Sequence, residues 1–140
     1  MHHDWDEATQ KNVAFTLRML EMTIRWAQKS GIRVLVTSVP HWPQYPRASG
    51  VQSEWSARPH QEIANLVKQL GVVHLDSYAK LYESISGSSQ TEYYYRGDMH
   101  FNQLGYRLWA DAHLEAYYDR KNKMLPESYW SRAGSRSLGD

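Results

Sequence analysis

The sequence predicts an α/β fold, a parallel sheet with helices packed on it. Three features predict it. Amphipathic helical stretches alternate with short apolar runs, and that alternation requires crossover connections and therefore parallel strands. The runs are almost continuously apolar, the pattern of strands covered on both faces. Each long helical stretch that precedes a strand ends on glycine, at Gly31 and at Gly71, which is stop chemistry for a helix.

The elements follow in order. From about residue 8 to residue 29, Val13, Leu17, Leu20, Ile24 and Ala27 recur at steps of four and three, one face of an amphipathic helix. Residues 32–39 are short, β-branched and apolar, a strand that Pro40 stops. Residues 41–59 carry Pro, Trp, Ser and Gln without periodicity, and loops of that length are uncommon in compact domains and often functional. A second helix is expected over 60–70, with Ile63, Leu66, Val67 and Leu70 inward, and a second strand over 72–76. A third helix over 78–85 presents Leu81 and Ile85, and residues 86–90 form a small polar loop. The last helix starts near Asn102, with Leu104, Leu108 and Ala112 on its inner face. Residues 1–118 make one domain. Residues 119–140 form a polar tail with Pro126 and two glycines, expected to be loosely ordered or docked on the surface. Two strands make a thin sheet, so the sheet is expected to continue in residues preceding Met1 or in a partner chain.

Composition narrows the function. The chain has 140 residues, 16 basic against 15 acidic, and a net charge of +1. It lacks the basic excess of a nucleic-acid binder, and no nucleic-acid partner is expected. Without cysteine there is no disulfide, thiolate catalysis or Cys-ligated zinc. No apolar run reaches the length of a membrane span, and residues 1–6 lack the apolar segment of a signal peptide. Neither compartment nor oligomeric state follows from these features. Six Trp and ten Tyr are many for this length. Packing under long loops is the favoured reading, with a sugar-binding cleft as the other.

In open α/β sheets ligands sit beyond the carboxyl ends of the strands. Three segments meet there: 38–46, with Ser38, His41 and Trp42; Asp76-Ser77; and 93–102. The last is the strongest signal. Asp98 and His100 stand two residues apart at the mouth of a helix. A short loop can bring the carboxylate against imidazole Nδ1, which fixes the tautomer and leaves Nε2 facing outward as a general base. Asn102 is placed to cap the helix, and Gly105 permits a close approach to neighbouring backbone. The competing reading is a capped helix start with a solvated Asp and His. Arg96-Gly97-Asp98 also matches an integrin-binding tripeptide, too short to carry an assignment. His2-His3 and the Asp98/His100 pair lack metal-ligand spacing on a helix, and no metal or other cofactor is expected. His74 is expected to be a satisfied structural histidine, and His113 to be exposed.

Asp98-Met99-His100-Phe101-Asn102-x-x-Gly105 resembles the last block of SGNH/GDSL hydrolases. It is closest to branches with an aromatic residue after the histidine, near polysaccharide O-acetyl esterases and acetyltransferases; many members space the pair with two residues instead. Gly31 to Pro40, and Gly71 to Asp76, resemble the family's order upstream. The resemblance covers about residues 8–118. It implies a three-layer α/β/α fold and a serine esterase or acyl transferase, with His100 as base and Asp98 as its orienting acid. It further implies a serine in a Gly-Asp-Ser-like block and an oxyanion site built with Gly and Asn. No such serine block occurs. Gly97-Asp98 is followed by Met99, and Gly87-Ser88 lacks a preceding strand. Residues 1–4 fall where a G-x-N-D block would lie, which puts His3 in the Asn position. Ser38 and Ser77 are expected to be loop and cap residues. The expectation is therefore the C-terminal part of an ester hydrolase, incomplete at its N-terminus, for a small-molecule or carbohydrate ester. Ser38, His41, Trp42 and Asn102 are its cleft candidates. The alternative is a non-catalytic domain of the same fold that binds carbohydrate.

Overall fold

The computed structural model describes residues 5–47 and 52–134. Helix α1, Glu7–Lys29, starts at Asp6, whose carboxylate accepts from the Thr9 N–H at 2.7 Å, satisfying a donor that the helix cannot. Its expected face is the covered one: Ile24 is buried and Val13, Leu17, Leu20 and Ala27 are half-buried. Strand β1, Leu35–Thr37, follows. A 3-10 turn follows at Trp42–Gln44, residues 45–47 and 52–57 carry no regular structure, and α2 is Arg58–Leu70. Strand β2, Val73–Leu75, pairs parallel with β1 in the register Leu35↔Val73, Val36↔His74, Thr37↔Leu75. Helix α3 is Ser77–Ile85 and α4 the short Gln90–Tyr93; α5 is Gln103–Tyr118.

Alternation along β1 divides the core in two. Val36 joins Ile24 of α1 and Val67 of α2, with Leu20, Val34, Ile63, Leu70 and Val72 around them. Leu35 packs on the other side, with Leu75, Leu81 and Ile85 of α3, Ala112 of α5, and the aromatic rings Trp42, Tyr45, Tyr94 and Phe101. The class is therefore broadly α/β, mostly helical, with a small two-stranded parallel sheet.

Several expectations are corrected in detail. Each strand has three paired residues rather than eight or five. Pro40 offers no N–H beyond β1, and Asp76 leaves the ladder to cap α3, accepting from the Ala79 N–H at 3.0 Å. On α5 Leu104 is 50% exposed and Gly105 is the buried residue, so the inner face runs Gly105, Leu108, Ala112 and Ala116. His113 is half-buried, with Nδ1 donating to the Trp109 carbonyl at 2.8 Å. His74 is not satisfied: its Nε2 is buried without a hydrogen-bond partner among the described residues. The segment expected as a tail forms a 3-10 turn, Arg120–Asn122, and helix α6, Glu127–Gly134. Arg33 holds it to the sheet side by donating to the Met124 carbonyl at 3.1 Å. Residues 135–140 and the block at 1–4, His3 included, lie outside the described residues. No helix among the described residues is long and apolar enough to cross a membrane.

Candidate active site

The chain between α4 and α5 closes into a small hairpin. Tyr94 and Phe101 form an antiparallel bridge, the Tyr95 N–H donates to the His100 carbonyl at 3.1 Å, and the Asn102 N–H to the Tyr93 carbonyl at 2.9 Å. Both bridge residues are fully buried, their rings 4.7 Å apart. They fasten the hairpin to the core while its tip, 95–100, reaches solvent. Gly97 makes the tip possible. It has φ +70°, a conformation open to glycine at little cost, and the Asp98 N–H closes the turn on the Tyr95 carbonyl at 3.1 Å.

The turn brings the expected acid and base together. Asp98 Oδ1 lies 2.6 Å from His100 Nδ1 and also accepts the His100 backbone N–H at 3.1 Å. The hydrogen bond from the His100 ring, with that from its backbone, holds the Asp98 carboxyl below the usual carboxylate value. An ionised carboxylate only accepts, so Nδ1 carries a proton, and in the neutral imidazole Nε2 holds the lone pair. Nothing among the described residues hydrogen-bonds Nε2. The pair is exposed, with side-chain accessibilities of 73% for His100 and 50% for Asp98.

Beside His100 is a pocket of about 450 Å³ lined by Val39, His41, Met99, Phe101, Tyr106 and Trp109. It joins the end of β1 to the hairpin, and the Tyr94 hydroxyl secures that junction by donating to the Pro40 carbonyl at 3.0 Å. His41 is thus brought to the pair as expected. Trp42 is not: it is 6% exposed and packs on Tyr94, so it is a core residue and offers no cleft face. Asn102 has both ends of its amide engaged. Its oxygen accepts from the Leu104 and Gly105 N–H groups at 2.9 and 3.0 Å, and its nitrogen donates to the Thr91 and Glu92 carbonyls at 3.0 and 2.9 Å. It joins α4 to α5 rather than facing a ligand. Ser38 turns away from the pocket toward His60. Ser77 is buried, bonded to the Thr37 hydroxyl and to the Trp109 indole N–H.

Gly105 makes the close approach that its position at the helix start implies. A Cβ there would overlap the Tyr93 carbonyl oxygen and come within 2.6 Å of Phe101 Cδ1. Sequence reasoning missed Tyr106 and Trp109 as pocket walls. Their signal was their place in the first two turns of α5, each next to an inner-face residue, Gly105 and Leu108. Among the described residues no group of three His, Asp or Glu side chains could hold a metal ion. Compared with protein-family models, curated proteins and solved structures, the chain finds no significant match.

Proposed function

We propose that this chain carries the acid–base part of an SGNH-type ester hydrolase, on the three-layer α/β/α architecture of that class. The single observation that carries the reading is the 2.6 Å contact between Asp98 Oδ1 and His100 Nδ1, which leaves Nε2 unpaired beside a pocket. In such a site Nε2 takes the proton of a serine hydroxyl as it attacks the ester carbonyl, and returns it to the departing alcohol. Asp98 keeps the imidazole in the required tautomer and offsets the charge of the imidazolium. Ser38 and Ser77 bond other groups, so in this reading another residue supplies the nucleophile. The pocket's Val39, Met99 and Trp109 would receive the apolar part of an acyl or O-acetyl ester, with Tyr106 at hand for a sugar ring.

The test is turnover of p-nitrophenyl acetate and of an O-acetylated oligosaccharide by the natural gene product containing these residues. His100→Ala should lower turnover by about 10³-fold or more, with the melting temperature unchanged; Asp98→Asn should lower it by up to about 10⁴-fold. Undiminished turnover in the His100 variant would remove it from the mechanism. A carbohydrate-binding reading draws on the exposure of Tyr95 and Tyr106 near the hairpin, and predicts saturable binding of the oligosaccharide with no ester cleavage.

A further inference from the structure

A second set of polar side chains lies past the end of β1, between the Trp42–Gln44 turn and α2. Ser38 follows the strand, and alternation turns it to the same side as Val36, toward α2. Its Oγ is 2.7 Å from His60 Nδ1, and His60 Nε2 is 3.1 Å from Gln44 Oε1. The direction of every bond in this chain is determined. The His41 backbone N–H donates to Gln44 Oε1 at 2.7 Å, and Gln44 Nε2 donates to the Ser56 carbonyl at 3.0 Å. The amide oxygen therefore faces His60, and an amide oxygen can only accept. His60 Nε2 must be the protonated nitrogen, Nδ1 must present its lone pair, and the Ser38 hydroxyl must donate to it.

This is the order that nucleophilic catalysis requires: a hydroxyl bonded to a base, and the base oriented by a third group. The base is rigidly held. Its ring stacks on Tyr78 at 5.2 Å with 14° between the planes, and the Tyr78 hydroxyl donates to the Gln44 carbonyl at 3.2 Å. His60 is 5% exposed, while Ser38 is only half-buried, so the base is more shielded than the residue that carries the hydroxyl. Burial also pushes the His60 pKa down, which keeps Nδ1 unprotonated below the ordinary imidazole range.

We propose that Ser38, His60 and Gln44 form an acyl-transfer relay of nucleophile, base and orienting amide that takes activated esters. It stands independently of the Asp98–His100 reading. Ser38 Oγ forms the new bond to the acyl carbon while its proton passes to His60 Nδ1. The bond from that carbon to the alcohol oxygen then breaks, and His60 returns the proton to the departing alkoxide. Water, deprotonated by the same nitrogen, releases the acyl group as a carboxylic acid and restores the serine.

The test is covalent labelling of the folded chain with a small fluorophosphonate, which loses fluoride to an activated serine, read by mass spectrometry of the Ser38 peptide. A structural hydroxyl would not react. The expected result is an adduct at Ser38, formed about 10²- to 10⁴-fold faster than in His60→Gln. If the His60 variant does not fold, the pH profile of the wild-type chain decides. Asp76, His41, His74 and Tyr78 face His60, and their net effect leaves burial dominant, so the labelling rate should fall on acidification, with the fall displaced below 6.5, the ordinary imidazole value. Absence of an adduct at Ser38, a rate equal in the His60 variant, or a rate that does not fall on acidification would each overturn the proposal.

Discussion

Replacing Gly105 by alanine tests whether the hairpin and the start of α5 are one packed unit. In an open helix this change would stabilise, by up to about 1 kcal/mol. Here the added carbon meets the Tyr93 carbonyl oxygen and Phe101 Cδ1, the latter at 2.6 Å. Neither can withdraw easily. The carbonyl accepts the Asn102 N–H at 2.9 Å, and Phe101 is 1% exposed against Tyr94. Overfilling a packed site costs about 1–3 kcal/mol, and a backbone obstacle puts this case at the upper end. Setting the two effects against each other leaves a net loss of about 2 kcal/mol, roughly 8 °C in melting temperature for a domain this size. The assay is thermal unfolding by circular dichroism. Because α5 must move relative to Phe101, the His100 ring should shift too, and its proton resonances should change with it. A melting temperature within about 2 °C of wild type would mean that the close approach does not exist and that the hairpin is not seated as described.

Three further outcomes follow from the same contacts. Asn102→Asp keeps an acceptor for the Leu104 and Gly105 N–H groups but loses both donors to α4, whereas Asn102→Ala loses all four bonds; urea unfolding should find the alanine variant less stable by about 1 kcal/mol, and equal midpoints would deny the cap. Tyr94→Phe removes the buried bond to the Pro40 carbonyl and should cost about 1 kcal/mol in the same assay, a loss that an unchanged midpoint would contradict. Burial lowers the pKa of both His60 and His74 below 6.5, so the unfolded chain binds more protons than the native one between the lowered values and 6.5. Their contribution is complete above that window and is lost as pH falls through it. Urea midpoints should therefore be lower at about pH 5 than at about pH 7.5, and an equal or higher midpoint at the acidic end would rule this out.

What could be read from the sequence was what depends on neighbours along the chain. Steps of three and four placed the covered faces of α1, α2 and α3 on the right residues, and an Asp two residues before a His gave a pair that a single turn can close. Asn102 as a cap and Gly105 as a close approach also rest on positions within one helical turn. Strand lengths were overestimated because apolar content continues where pairing stops, at Pro40 and at the capping Asp76. Leu104 was placed inward by periodicity alone. The tight packing of Gly105 on Phe101 sets the rotation of the first turn of α5 and leaves Leu104 outside.

The relay past the end of β1 shows why the rest was not legible. Ser38 and His60 are 22 residues apart and His60 and Gln44 are 16 apart, with an irregular segment between them. No spacing rule joins residues across such a loop. Their meeting depends on where the 3-10 turn at Trp42–Gln44 folds back onto α2, and that depends on Trp42 and Tyr45 filling the aromatic core, against which Tyr78 and then the His60 ring stack. The two relays thus differ in origin. Asp98 and His100 are held by a turn that their own sequence specifies, and a change elsewhere in the core should leave their 2.6 Å contact intact. Ser38, His60 and Gln44 are held by tertiary packing, so Trp42→Ala should open that set while sparing the hairpin turn. Trp42 touches Tyr94 as well, so loss of the Asp98–His100 hydrogen bond in this variant, seen in the His100 ring resonances, would show that both depend on one core.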